Sequence, residues 1–473
     1  SLILMLSDKF VKANNLSNLK FNKPMKLAVI FILSLIVSSA LAQEISFSKI
    51  GKVKARHSSE IEASNWGVGS ETMDRDYTIY ENWKEHLGPL GVKKARLQSG
   101  WAKTENQIGQ YDFAWLDSMV YDIVDQGVEP WINISYGNPI YRDGGGTKLG
   151  ATMPKAPQTI DAYKKYAELL VTRYKDVVDE WEIWNEGVRH DNSMDDYLAI
   201  FVPTAEAIRK IQPEAKILGL ATAGIKPEDG EEFVAKLSAM GKLHLVDEIT
   251  YHPYSKNPDA VYDEVLQLRA NIKKYSDRIE IRQGENGAPS EYRNTKALSK
   301  YEWTELSQAK WALRRLLGDL GRDIESSYFA IMDMNYPDEI NRKGLLHATE
   351  EQTVDHVKPA YYAVQHLTSI FDNTLQKIDH YAYRSDNQQS MSVFAYENKY
   401  TNQQVVTLWF DAAIPSDSNK KTEMDFTFYQ GQFDEPVYID LRTGEVFEIP
   451  AKNWKKNGTT FEFKDIPVYD SPV

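Results

Sequence analysis

The chain has 473 residues, of which 42% are hydrophobic and 26% charged, with a formal net charge of −13. That length suits one large domain plus a smaller one, and that composition excludes a disordered or membrane-embedded chain. The acidic balance disfavours nucleic acid and anionic membranes as partners, and the lack of cysteine removes disulfides, thiolate metal sites and a cysteine nucleophile.

Met25 and Lys26 open an apolar run from Leu27 to Val37, followed by Ser38-Ser39-Ala40-Leu41-Ala42. A basic start, a short apolar core and a small-x-small end predict a secretory signal cleaved after Ala42, and hence an exported protein, periplasmic or extracellular. A membrane anchor would need about 20 apolar residues, and Gln43 in place of Cys argues against a lipid anchor. Residues 1–24 precede the initiator-like Met25 and read as upstream sequence. The fold is therefore read from residue 43 onward.

From Trp66 onward, short apolar runs alternate with longer helical patterns. The runs are Trp66–Ser70, Lys94–Ser99, Glu129–Tyr136, Glu180–Asn185, Lys216–Ala221, Glu248–Tyr254, Arg278–Gln283 and Tyr328–Met334. Between them lie amphipathic stretches such as Thr159–Asp176 and Asp195–Ile211. Eight strand-helix units predict a closed β/α barrel over residues 43–372. An open doubly wound sheet would carry a glycine-rich phosphate turn after an early strand, and Ser99-Gly100-Trp101 is not one. After Asp372 the pattern alternates at period two, as in Gln404–Phe410, with turns at Arg442-Thr443-Gly444 and Lys456-Asn457-Gly458. Residues 373–473 are thus predicted to form an antiparallel β-sandwich, with a possible extra strand from 44–62. Its expected role is to buttress the barrel rather than to bind sugar.

Catalytic groups in such barrels sit at the C-terminal ends of strands. The fourth run ends Trp181-Glu182-Ile183-Trp184-Asn185-Glu186-Gly187, where period two puts Glu182, Trp184 and Glu186 on one face with Glu186 at the lip. The seventh run ends Gln283-Gly284-Glu285-Asn286-Gly287, with Glu285 at its lip. Two glutamates at one height across a barrel mouth suit the splitting of a glycosidic bond, one protonating the leaving oxygen and the other attacking or activating water. Either Glu alone would read as a solvated loop residue. Two carboxylates close together should also raise one pKa and so keep whichever serves as the acid protonated.

Trp184-Asn185-Glu186 on the fourth strand and Gly284-Glu285 on the seventh resemble glycoside hydrolase clan A, and within it the chain looks most like family 39. The resemblance implies a retaining β-glycosidase, such as a β-xylosidase or β-galactosidase, with Glu186 as acid/base and Glu285 as nucleophile. It also implies that Arg96 keeps the nucleophile ionised, that Asn185 holds the sugar 2-hydroxyl, and that Tyr254, in His252-Pro253-Tyr254, contacts the nucleophile. The other expectation for Arg96 is an ion pair with Glu182; His252 reads as part of the site or its support. A non-catalytic sugar-binding protein on the same barrel is the alternative from another class.

The chain carries eleven Trp and 27 Tyr, rings that can hold a sugar face. Trp101, Tyr136, Trp184 and Tyr336 are candidate platforms, with plain packing the other reading of each. Arg142, Lys148, Arg189, Arg293 and Arg342 fall in the expected top loops. They could recognise a uronate or sulfate, unless they pair with Asp143, Asp191, Glu291 and Asp338. The nine His are scattered, with only His190 and His252 near strand ends and no His-Glu-x-x-His spacing, so neither a catalytic metal nor another cofactor is expected. The expected partner is a carbohydrate.

Overall fold

The computed structural model describes residues 45–189 and 191–473. The expected export segment at Met25–Ala42 lies outside them, as does His190. Eight parallel strands close into a barrel: β1 (Trp66–Gly69), β2 (Lys94–Gln98), β3 (Glu129–Ile134), β4 (Glu180–Ile183), β5 (Lys216–Ala223), β6 (Glu248–His252), β7 (Glu280–Asn286) and β8 (Glu325–Tyr328). Helices follow each strand, beginning with the single turn Tyr80–Trp83 and ending with Pro359–Ile370. The helix Pro157–Tyr174 buries Tyr163, Tyr166, Ala167, Leu170, Val171 and Tyr174, the apolar stripe its sequence spacing predicts. The helix Met194–Ile211 starts at a reciprocal cap, in which the Ser193 hydroxyl accepts from Asp196 N–H while the Asp196 carboxylate accepts from Ser193 N–H. No helix among the described residues is long and apolar enough to cross a membrane.

The first six expected runs fall within two residues of the observed strands. β7 runs on through Asn286, with a register shift against β8 between Gln283 and Asn286. Such irregularities bend a strand and re-aim its side chains, and Glu285 sits within this one. The eighth run is corrected: β8 is Glu325–Tyr328, not Tyr328–Met334. Its Glu-Ser-Ser start has no hydrophobic signature because its polar groups are satisfied inside the barrel. Ser326 Oγ donates to Asp319 (2.7 Å) and accepts from Gln283 Nε2 (2.8 Å), and Glu325 pairs with Arg282 (2.8 Å). The apolar Phe329–Met334 stretch instead opens the loop after β8, where Phe329, Ala330 and Met334 form a small cluster of their own.

Charge also fills the barrel floor. Buried Arg282 reaches Glu180, Glu248 (2.6 Å) and Glu325, while Lys94 bridges Glu180 (2.6 Å) and Glu325 (3.0 Å). Breaking such a network by removing one member leaves an unpaired buried charge, which costs about 3–5 kcal/mol. The Trp131 ring lies against the guanidinium of Arg282 (4.8 Å) and also that of Arg96 (5.5 Å), and so joins the floor to the site above it.

Beyond the barrel, one sheet combines Leu375–Lys377, Met391–Asn398 and Gln404–Phe410, and a second combines Tyr383–Ser385, Thr422–Phe428, Thr460–Val468 and Trp454–Asn457. Ser48–Lys52 pairs with Glu445–Glu448, which pairs with Val437–Asp440. These strands are consistent with a β-sandwich, giving the fold class of barrel plus sandwich. Its face is bonded to the barrel helix Glu305–Leu320: Arg314 donates to the carbonyls of Asp411 (2.8 Å) and Ala413 (2.9 Å), and Lys310 pairs with Asp470 (2.8 Å).

Candidate active site

Residues on or just past three other strands converge on one buried guanidinium. Arg96, from the middle of β2, is fully buried. It donates to Glu182 (2.8 Å), Glu71 (2.9 Å), Glu285 (3.0 Å) and Asn185 Oδ1 (2.7 Å). Burying an arginine costs several kcal/mol unless it is paired, roughly, and here it bonds Glu182 and Glu285 at once. Glu182 spends its oxygens on Arg96, on Asn133 Nδ2 (2.8 Å) and on the Thr250 hydroxyl. The other Glu285 oxygen accepts from the Tyr254 hydroxyl (2.8 Å).

Glu186 stands beside this cluster. Its Oε1 faces His252 Nδ1 at 2.9 Å, and its Oε2 accepts from Arg189 Nη1 at 2.5 Å. An oxygen of Glu186, an oxygen of Glu285 and a ring nitrogen of His252 all lie within 4.8 Å of one another. The two-residue alternation of β4 stops at Ile183, because Trp184 (φ +64°) and Glu186 (φ +48°) both adopt left-handed backbone. Non-glycine residues pay about 1–3 kcal/mol each for that conformation. Glu186 N–H is anchored on Ala221 O (2.9 Å), which holds the strained turn to β5.

Residues 97–284 match the model of Glycosyl hydrolases family 39. Over those residues the chain is similar to family 39. It is 28% identical over 169 residues to a β-xylosidase of Caldicellulosiruptor saccharolyticus, covering 31% of this chain and 34% of that one. It is 25% identical over 223 residues to the aryl-phospho-β-D-glucosidase BglA of Bacillus subtilis, covering 42% of each. The chain thus spans less than half the length of both curated relatives. A solved family 39 glycoside hydrolase from Bacteroides cellulosilyticus WH2 shares the fold, with a TM-score of 0.60 and 18% identity over 86% of this chain and 79% of that one.

Within this barrel the charge pattern differs from the sequence expectation. Burial pushes the Glu186 carboxyl up, but the hydrogen bond and charge of His252, with Arg189 and Arg96 behind them, bring it below its ordinary value. His252 moves the other way: burial lowers it, and Glu285 and Glu186 outweigh that and raise it. The carboxyl that is raised is Glu71, pushed up to about 7 by burial against the pull of Arg96. Glu71 was missed in the sequence, although it lies one residue past the first run. Its carboxylate folds back over Gly69, where a Cβ would sit 2.4 Å from Glu71 Oε2.

The aromatic candidates divide. Trp101 is corrected to a packing residue: it is fully buried, stacked with Tyr141 and Tyr166, with its indole N–H on Glu105 (2.7 Å). Trp184 is buried against Tyr136 and Tyr163. Tyr136 accepts from Asn185 Nδ2 at 2.7 Å, so it holds that amide in place. Tyr336 is half-buried against Tyr77. Of the basic loop residues, Arg293 pairs with Glu339 and Arg342 with Asp333 (3.1 Å), while Arg142 lies 3.7 Å from Asp143 and is 96% exposed. Lys148 is exposed. Arg189 binds Glu186 itself, and beside it a cavity of ≈ 500 Å³ is lined by Val188, Arg189, Ala223 and Lys226.

Proposed function

We propose that the chain is a retaining glycoside hydrolase that cleaves β-glycosidic bonds by double displacement, with Glu285 as nucleophile and Glu186 as acid/base. The observation that carries this reading is the spacing of Glu186 and Glu285 around His252, all three within 4.8 Å. Retaining enzymes hold their carboxyl groups about 5–5.5 Å apart, whereas inverting ones leave roughly 6.5–9.5 Å for a water. Glu285 attacks the anomeric carbon, the bond to the leaving oxygen breaks, and that oxygen takes a proton from the Glu186–His252 pair. Water, deprotonated by Glu186, then displaces Glu285. Arg96 and Tyr254, each on one oxygen of Glu285, fix its orientation. The β-xylosidase and β-glucosidase relatives support a β-linked sugar substrate.

The first-formed anomer, followed by proton NMR during hydrolysis of an aryl β-glycoside, tests the mechanism: β-product is expected, and α-product would mean inversion. Tyr254→Phe removes one hydrogen bond to a charged oxygen, worth about 1.5–3 kcal/mol. Its kcat should fall by roughly one to two decades, and an unchanged kcat with intact folding would place Tyr254 outside the chemistry.

A further inference from the structure

Lys343 is the cation that the site leaves unmatched. It is 2% exposed, and its Nζ has no hydrogen-bond or ion-pair partner among the described residues. The ammonium instead sits 3.8 Å from the centre of the Tyr254 ring, the same tyrosine whose hydroxyl binds Glu285. It is close enough for the charges of Glu285 and Glu186 to act on it, and burial with the neighbouring Arg293 holds it well below its ordinary value. The cations around it are all engaged. Arg293 bonds Glu339 and Asn341, Arg342 bonds Asp333, Lys358 bonds Asp333 and Ser290, and Lys296 pairs with Asp338.

The position is also rigid. Lys343 lies in the loop after β8, where its carbonyl accepts from Gln308 Nε2 (3.3 Å). The next residue, Gly344, donates its N–H to Asp333 Oδ1 (2.9 Å), and Asp333 is itself clamped by Lys358 (2.7 Å) and Arg342. Burial without an anion disfavours the charged form of such an amine, and an arriving anion restores it. A rigid cation held over the tyrosine that orients the nucleophile is pre-organised for a group on the sugar being cleaved.

Resting on the glycosidase reading above, we propose that Lys343 is a specificity-determining residue that binds an anionic substituent, a carboxylate or a sulfate, on the sugar seated against Glu285. Neutral hydroxyls satisfy an ammonium only partly, whereas an anionic oxygen supplies a charge-assisted bond about twice as strong. The Lys343 side chain, once protonated, also offsets the repulsion that Glu186 and Glu285 exert on such an anion.

Matched aryl β-glycosides test this: glucoside against glucuronide, galactoside against galacturonide, and galactoside against 6-sulfogalactoside. At least one anionic member should exceed its neutral partner in kcat/KM by about tenfold or more, and which pair does so separates carboxylate from sulfate. Lys343→Met keeps the buried stem and should cut that anionic-to-neutral ratio about 10- to 100-fold; Lys343→Arg should restore part of it. Neutral preference in every pair, or a Met variant that lowers both members alike, overturns the assignment of Lys343 while leaving the glycosidase reading standing. Silence toward every member, neutral and anionic, overturns the glycosidase reading and this one with it.

Discussion

Glu285→Gln is expected to turn over no aryl glycoside, however good its leaving group, because no leaving group can replace a missing nucleophile. Glu186→Gln should fail differently. An acidic phenol departs with little protonation, so the glycosyl-enzyme still forms, and its hydrolysis stalls for want of the base that activates water. The expected signature is a burst of phenol followed by a steady state slower by about two to four decades, which azide accelerates while producing a β-glycosyl azide. The competing acid is Glu182, two residues earlier on β4. Its side chain is fully buried, with its oxygens bonded to Arg96, Asn133 and Thr250. It has no oxygen free to meet a leaving group. Pre-steady-state phenol release with NMR of the azide product decides the matter. The same burst from Glu285→Gln, or an α-azide from Glu186→Gln, would reverse the two roles.

What made these two glutamates readable was their placement on strand ends, where period and turn chemistry are both visible in the chain. Gly287 shows the turn chemistry directly: a Cβ there would lie 1.8 Å from Phe329 O, so the chain can leave β7 past Glu285 only through a glycine. The same reasoning, applied to β1, would have found Glu71. Other residues carry no such signal. Lys343 reaches the site from deep within a long loop, and Arg189 meets Glu186 through a strained turn that no alternation describes. β8 was misplaced because hydrophobic periodicity assumes apolar strand interiors, whereas this barrel places Glu180, Arg282, Glu325 and Ser326 inside and satisfies them there. The expectation of a raised Glu186 likewise considered two carboxylates alone. His252 and Arg189, which reverse it, become neighbours only in the folded chain.

Arg96→Met should be the most damaging single change to stability and activity together. It strands the Glu71, Glu182 and Glu285 carboxylates that share this guanidinium. Removing one member of a buried pair costs about 3–5 kcal/mol, a fall in unfolding midpoint on the order of 10 °C. The loss should depend on pH, with a sign set by Glu71. Its folded-state value is raised from 4.5 to about 7 by burial, so its protonated form is the one that favours folding. That contribution is fully present below the unfolded value and is lost as pH rises through about 7. Arg96 opposes the loss by lowering the same carboxyl. Without it, Glu71 stays protonated to higher pH, and every buried carboxylate that does ionise lacks its partner. The gap in midpoint between native protein and Arg96→Met should therefore widen from pH 5 to pH 8, as measured by thermal unfolding at fixed ionic strength. At low pH, where the carboxyls are neutral, the arginine is itself the unmatched buried charge, and the gap should narrow. A gap that stays constant across this range would mean that Arg96 stabilises the barrel by packing against Trp131 rather than by charge.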